Sequence, residues 1–317
     1  MEAKMIVDVP NSETLARFSI NQLNAAWKAA ADVLFNLADA EVAEWDRDYS
    51  ARQDYVRASQ PDLLSTLSNI QQALELGIKS RIAAVSPYLL IAGDVRQWPK
   101  GQGSKDISFY EFRTIDAYDL VRVHNAVCSD ELKDDFCRIF NEMRRKRNVI
   151  VHLGGGGIEV DPKEIFPLIL ECFGHLFPDR CWAEERYKYQ ENRPDSKLHG
   201  NDFLTMSLFG ELRGLTGLIK PSLLRKHYGF DSRKSKYICV PCTEEEASLL
   251  GSRARSAQIR TADATGARLY CCICAKENEV HRNPCTVRGC KDALIYTEPF
   301  GWKTCVICGE RQPESES

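Results

Sequence analysis

"MRRKRNVIVHLGGGG", Met143–Gly157, packs four basic residues, an asparagine, three β-branched residues, a histidine and four glycines into fifteen positions. Just upstream, Phe136, Phe140 and Met143 recur at helical spacing behind Ser129, Asp130 and Glu131. The pattern predicts an amphipathic helix that starts on acidic residues and ends on basic ones, as the helix dipole prefers. The glycines then release the chain. "DPKEIFPLILECFGHLF" restarts a helix, with Asp161 as its cap and Pro162 at its first position.

Upstream of that stretch the chain also reads as helices. Asn11-Ser12 opens a helix carrying Leu15, Phe18, Leu23, Trp27, Val33, Leu34 and Leu37, and a second is expected through Val42, Trp45, Tyr49 and Tyr55. Pro61 begins "PDLLSTLSNIQQALELGIKSRIAAVSPYLLIA", expected to be the long central helix, and "GDVRQWPKGQGSKD" is a loop. "TIDAYDLVRVHNAV" is one more amphipathic helix, in which His124 reads as a core or boundary histidine, as does His175 further on. "RPDSKLHGND" looks like a loop. Between Leu212 and Lys236 seven lysines and arginines face one aspartate, so residues 181–236 read as a basic connector.

The formal charge of −3 argues against a generic polyanion binder, but it divides into about −6 for residues 1–180 and about +3 for 181–317. Affinity for a nucleic acid would therefore be local. No stretch approaches eighteen uncharged apolar residues, and "MEAKMIVDVP" lacks the layout of a signal peptide. The expectation is a soluble cytoplasmic protein with no membrane partner.

Of thirteen cysteines, Cys128, Cys137, Cys172 and Cys181 are scattered, whereas nine fall between Cys239 and Cys308. Eight form close pairs: Cys239 with Cys242, Cys271 with Cys274, Cys285 with Cys290, and Cys305 with Cys308. A short gap lets both thiolates of a tight turn reach one metal, and two such turns complete the tetrahedral site that zinc favours. Four pairs predict two structural Zn2+ ions in a β-rich domain over 237–317, and no catalytic metal, because a full thiolate set leaves no open position. Sequential grouping is the simplest, and an interleaved one is the alternative. Cys272 competes with Cys271, and His281 is a further candidate ligand. Tyr296, Phe300 and Trp302 beside Arg282, Arg288, Lys291 and Lys303 would suit RNA stacking, but read more simply as the small core of the ribbon.

Arg147, Asn148 and His152 stand apart from the other basic residues. The helix fixes their geometry, and Asn148 and His152 are four apart, on one face if the helix reaches that far. Arg193 and His199 repeat the spacing, but in a proline-containing stretch with no rigid element expected. Arg147-Asn148-x3-His152 resembles the R-x4-6-H signature of the HEPN superfamily, in which a polar residue follows the arginine. Helix order over residues 1–180 resembles that family too. Some members carry a tyrosine two places after the histidine, where this chain has Gly154, so the modification-linked toxin–antitoxin subgroup fits less well.

The resemblance implies a mainly α protein, a HEPN-like bundle over 1–180 followed by the connector and the zinc-ribbon domain. It also implies a homodimeric, metal-independent endoribonuclease acting on RNA. His152 would move the proton, Arg147 would hold the scissile phosphate and Asn148 would orient either group. A toxin or antiviral defence effector, with an inhibitory or activating protein partner, follows from the same analogy. The rival expectations are a non-catalytic helical adaptor whose zinc ribbon binds RNA or protein, and a transcription-related zinc-ribbon protein.

Overall fold

The computed structural model describes residues 5–42, 49–99, 106–243, 255–291 and 293–313. Trp45 of the expected second helix and part of the loop after Trp98 lie outside them. The chain divides into two compact units, Met1–Pro178 and Asp179–Ser317.

The first unit is helical. A short parallel pair, β1 (Ile6–Val7) and β2 (Ile107–Ser108), accompanies α1 (Ser12–Val42), α2 (Tyr49–Ala58), α3 (Gln60–Val85), α4 (Ala117–Val127), α5 (Asp134–Leu153) and α6 (Pro162–Leu176). The caps fall where the sequence puts them. Asn11 Oδ1 accepts from the amides of Glu13 and Thr14 at 2.8 and 3.3 Å, and Asp161 Oδ1 accepts from Lys163 at 2.9 Å. One boundary differs: α5 starts at Asp134, with Asp134 and Asp135 as its acidic turn, because Asn125 Oδ1 holds the Leu132 amide at 3.0 Å in a loop.

α3 is the centre of this unit, packed by α1, α4, α5 and α6. Its approach to α1 and α6 depends on Gly77, where an added Cβ would lie 2.7 Å from Leu176 Cδ1 and 3.1 Å from Ser19 Oγ. Ser19 Oγ in turn donates to the buried Ala73 carbonyl at 2.7 Å. Leu23, Trp27, Ile70, Leu74, Phe166 and Phe173 are fully buried, and Trp27 meets Phe166 edge-on at 4.9 Å. Side chains of this kind contribute about 1.5–3 kcal/mol each when removed from water. Phe18 does not join them; it is exposed.

The second unit corrects the loop reading of 193–202. The stretch read as a basic connector holds three helices, α7 (Trp182–Glu191), α8 (Pro194–Leu215) and α9 (Pro221–Tyr228), and "RPDSKLHGND" is the start of α8 with Pro194 in its first turn. Leu204, Leu208, Leu212 and Leu215 form a buried stripe that offsets the roughly 1 kcal/mol that a glycine such as Gly200 costs a helix interior. Arg186 on α7 donates to Glu211 on α8 through Nε at 3.0 Å and Nη2 at 2.7 Å, both side chains being buried. Beyond a single helical turn at Val240–Thr243 come β3 (Ala257–Ala262), β4 (Gly266–Cys271), β5 (Glu277–Arg282), β6 (Leu294–Thr297), β7 (Lys303–Cys305) and β8 (Arg311–Gln312). They form one antiparallel sheet in sequence order. The protein is thus a mainly helical N-terminal region followed by a cysteine-rich, sheet-containing C-terminal one.

Candidate functional site

The eight paired cysteines come together as two clusters, grouped sequentially. Cys239, Cys242, Cys271 and Cys274 form one, and Cys285, Cys290, Cys305 and Cys308 the other, with sulfurs in each lying within 4.8 Å of one another. A tetrahedron with Zn–S bonds of about 2.3 Å has edges of about 3.8 Å. The sulfur separations are 3.8 Å for Cys239–Cys274, 3.9 Å for Cys242–Cys271, 3.6 Å for Cys285–Cys308 and 3.8 Å for Cys290–Cys305. The donor sets therefore fit Zn2+ in size, number and softness.

Local chain geometry explains the fit. Cys242 donates its amide to the Cys239 carbonyl at 3.0 Å, and the turn after β4 closes through Cys271 N–H to Lys276 O at 3.0 Å with Ala275 at a positive φ. The knuckle after β7 closes through Gly309 N–H to Cys305 O at 2.7 Å, Gly309 taking the left-handed conformation that glycine permits. Amides point at the sulfurs, Ile273 at Cys271 at 3.3 Å and Val287 at Cys285 at 3.4 Å. Such donors stabilise thiolates. Without a cation, the crowding of Cys242 by Cys239, Cys271 and Cys274, together with burial, pushes its thiol far up. Desolvation and Cys305 push Cys290 up to about 12. A divalent ion at the centre of each cluster reverses that preference.

The two competing ligands are resolved by position. Cys272 faces away and donates its thiol to the Ser256 carbonyl at 3.0 Å, while His281 lies exposed on β5, outside both clusters. Of the aromatics read as a core, Tyr296 is half-buried on β6, and the reading is corrected for Phe300 and Trp302. The second cluster packs on Ala293, Ile295 and Ile307, whereas Phe300 is 92% exposed and Trp302 44%. Arg311 lies over the Trp302 ring at 5.2 Å.

Arg147, Asn148 and His152 lie in the last turns of α5, which continues to Leu153 and so includes the histidine. Phe136, Phe140 and Met143 form the buried stripe; Asn148 and His152 lie on the far side of the helix, whereas Arg147 continues the stripe. At 100° per residue, Asn148 and His152 are about 40° apart around the helix and Arg147 is about 140° from His152. Arg147 bridges part of that gap by donating Nη1 to Asn148 Oδ1 at 3.3 Å. Asn148 and His152 are exposed and Arg147 is half-buried.

Behind this end, Gly154 caps the helix with φ +70° and Gly155 follows at φ +74°, its amide reaching Val149 O at 3.2 Å. The turn needs these glycines, and only Gly155 is packed, against Leu64; a Cβ on Gly154, Gly156 or Gly157 would meet nothing within 4 Å. Val151 and Leu153, on either side of His152, leave their apolar side chains exposed, Leu153 at 75%. The rest of the basic run behaves as surface: Lys146 pairs with Glu142 at 2.8 Å, and Arg144 lies over Tyr118 at 5.1 Å. Arg193 and His199 both belong to the start of α8, Arg193 as its cap position, and Arg193 donates to Asp195 at 3.4 Å. His124 is buried, its Nδ1 3.0 Å from Asn125 Oδ1, and burial pushes it below the usual histidine range.

No protein-family profile, no curated protein and no solved structure matches this chain. The class defined by fold and site is therefore structural: a helical protein carrying a cysteine-rich domain with two four-thiolate zinc sites. Among the described residues, no helix is long and apolar enough to cross a membrane.

Proposed function

We propose that the chain is an RNA endonuclease of the HEPN type whose zinc-bearing unit binds substrate or a partner. The observation that carries this reading is the end of α5, where an exposed asparagine and histidine, and a half-buried arginine that donates to the asparagine, stand on one rigid helix terminus with open space over the adjoining glycines. Histidine is the side chain suited to exchanging protons near neutrality, and arginine keeps its charge while holding a phosphate.

The reaction needs no metal-bound water. His152 takes the proton of the ribose 2′-hydroxyl, whose oxygen attacks phosphorus as the bond to the 5′-oxygen breaks. The leaving oxygen takes a proton, from a second histidine or from water. The products are a 2′,3′-cyclic phosphate and a 5′-hydroxyl. Arg147 opposes the extra negative charge of the pentacovalent state, and Asn148 orients it. Exposed Val151 and Leu153 beside His152 favour a second copy packing here, so that two helix ends face one RNA. A toxin or antiviral effector held by a partner protein is the role such an activity would serve.

One observation favours a second reading, a non-catalytic adaptor: the exposed Phe300 and Trp302 are stacking surfaces on the zinc unit that need no nuclease. Zinc-loaded protein incubated with labelled RNA, with no added divalent ion, separates the two. The nuclease leaves cyclic phosphate ends, spares RNA that is 2′-deoxy at the cleavage position, and loses about 10²–10⁴ in rate in His152→Ala, with a loss also in Arg147→Ala. RNA that stays intact with wild-type protein, or cleavage undiminished in correctly folded variants, refutes it.

A further inference from the structure

Within the second unit, α8 and the residues after α9 enclose a cavity of about 280 Å³. Its walls divide into two kinds. Phe209 and Leu212 on α8 and Phe230 beyond α9 form an apolar side, and Arg213, Lys236 and Arg255 bring three cations to the other. Among the described residues no carboxylate lines it and none of the three cations has an ion-pair partner. Three like charges lining one cavity make an anion a favourable occupant.

The cavity is braced. Arg255 donates Nη2 to the Ile307 carbonyl at 2.9 Å, inside the Cys305–Cys308 knuckle. Ser256, also in the wall, lies with its Oγ 3.2 Å from Cys271 Sγ and accepts at its carbonyl from the Cys272 amide at 3.1 Å. Lys236 extends over the Phe230 ring at 5.3 Å, which keeps the ammonium at the edge of the apolar side. Contacts from both cysteine knuckles thus hold Arg255 and Ser256 in place, so the zincs pre-organise that part of the wall.

We propose that this cavity binds one nucleoside monophosphate unit, with the base against Phe209 and Phe230 and the phosphate among Arg213, Lys236 and Arg255. A phosphate monoester carries about −1.5 to −2 at pH 7, which three cations can balance. A flat base suits the phenyl walls, which inorganic phosphate alone would leave wet. The volume is at the lower end of ligand pockets, about 300–1,000 Å³, and admits one nucleotide unit rather than two. The Thr216 side chain, also in the lining, can meet a ribose hydroxyl. The unit is either a free mononucleotide or the phosphorylated end of an RNA. The proposal does not rest on the nuclease reading, since neither Arg147 nor His152 enters it.

The test is calorimetric titration of the full, zinc-loaded chain with AMP, adenosine, inorganic phosphate, and short RNAs bearing a 5′-phosphate, a 3′-phosphate or neither. The expected result is saturable one-to-one binding of AMP, with adenosine and phosphate each weaker. Lys236→Gln and Arg213→Gln should each weaken AMP by about tenfold or more, the loss of one charge-assisted contact. Phe209→Leu, which keeps the apolar volume, weakens AMP and adenosine but not phosphate, and His152→Ala changes nothing. Preference for AMP over the phosphorylated RNAs identifies a free nucleotide, and the reverse identifies an RNA end. Two outcomes overturn the proposal: no saturation by AMP or phosphorylated RNA at millimolar concentration, or equal AMP affinity in a folded, two-zinc Lys236→Gln/Arg213→Gln variant.

Discussion

Replacing Cys271 and its neighbour Cys272 by serine, one at a time, should have opposite consequences. Cys271 Sγ lies 3.9 Å from Cys242 Sγ inside the first cluster and accepts from the Ile273 amide, whereas Cys272 Sγ donates to a backbone carbonyl at 3.0 Å. Structural zinc binding has an apparent free energy of about 10–16 kcal/mol at neutral pH, and a quarter share is about 3–4 kcal/mol. Losing one of four thiolates should therefore weaken the first zinc by roughly two to three orders of magnitude. In Cys272→Ser the hydroxyl can keep the hydrogen bond to Ser256, so the change should cost no more than about 1 kcal/mol. Native mass spectrometry after a brief chelator challenge should count two zincs in wild type and in Cys272→Ser, and one in Cys271→Ser. Two retained zincs in Cys271→Ser, or loss of one in Cys272→Ser alone, would refute the ligand assignment.

Two further predictions concern the second unit. Glu211→Gln leaves the buried Arg186 guanidinium without its counter-charge, so urea unfolding should show a loss of about 3–5 kcal/mol; the Arg186→Met/Glu211→Leu pair should lose much less, and equal losses would count against a charge effect. Burial and the neighbouring Lys226 push His227 down to about 4. The unfolded chain, with a histidine near 6.5, then binds more protons between these values. Stability from this group is complete above about pH 6.5 and declines as pH falls toward 4, by roughly 2 kcal/mol between pH 7.5 and 5. Comparing wild type with His227→Gln at each pH isolates it from acid release of zinc; the same pH slope in both would remove the argument.

Much of this molecule is determined locally and can be read from the chain. Asn11 and Asp161 cap helices because a short side-chain oxygen reaches the next free amides, whatever the rest of the protein does. The two-residue gap of Cys239 and Cys242 forms a knuckle for the same local reason, and three pairs at that gap with a fourth, Cys285 and Cys290, at a four-residue gap imply two metals. Residues 182–228 carry a weaker local signal, because Pro194 and Gly200 resemble loop punctuation while the stripe from Leu204 to Leu215 gains its meaning from burial. The partnership of Arg186 with Glu211 across twenty-five residues has no local signature.

The tertiary structure decided what depends on distant neighbours. Cys271 and Cys272 are chemically alike, and only the direction each takes at the end of β4 makes one a ligand and the other a hydrogen-bond donor. Phe300 and Trp302 have the composition of a small core, but Ala293 and Ile295 occupy that place. The three cations of the phenyl-walled cavity are widely spaced in sequence, at 213, 236 and 255, and meet only in the folded chain. At the end of α5 the sequence by itself determined which residues stand in the helix terminus, since capping and spacing are short-range. The exposure of Asn148 and His152, and the half-burial of Arg147, came from which face of α5 packs inward.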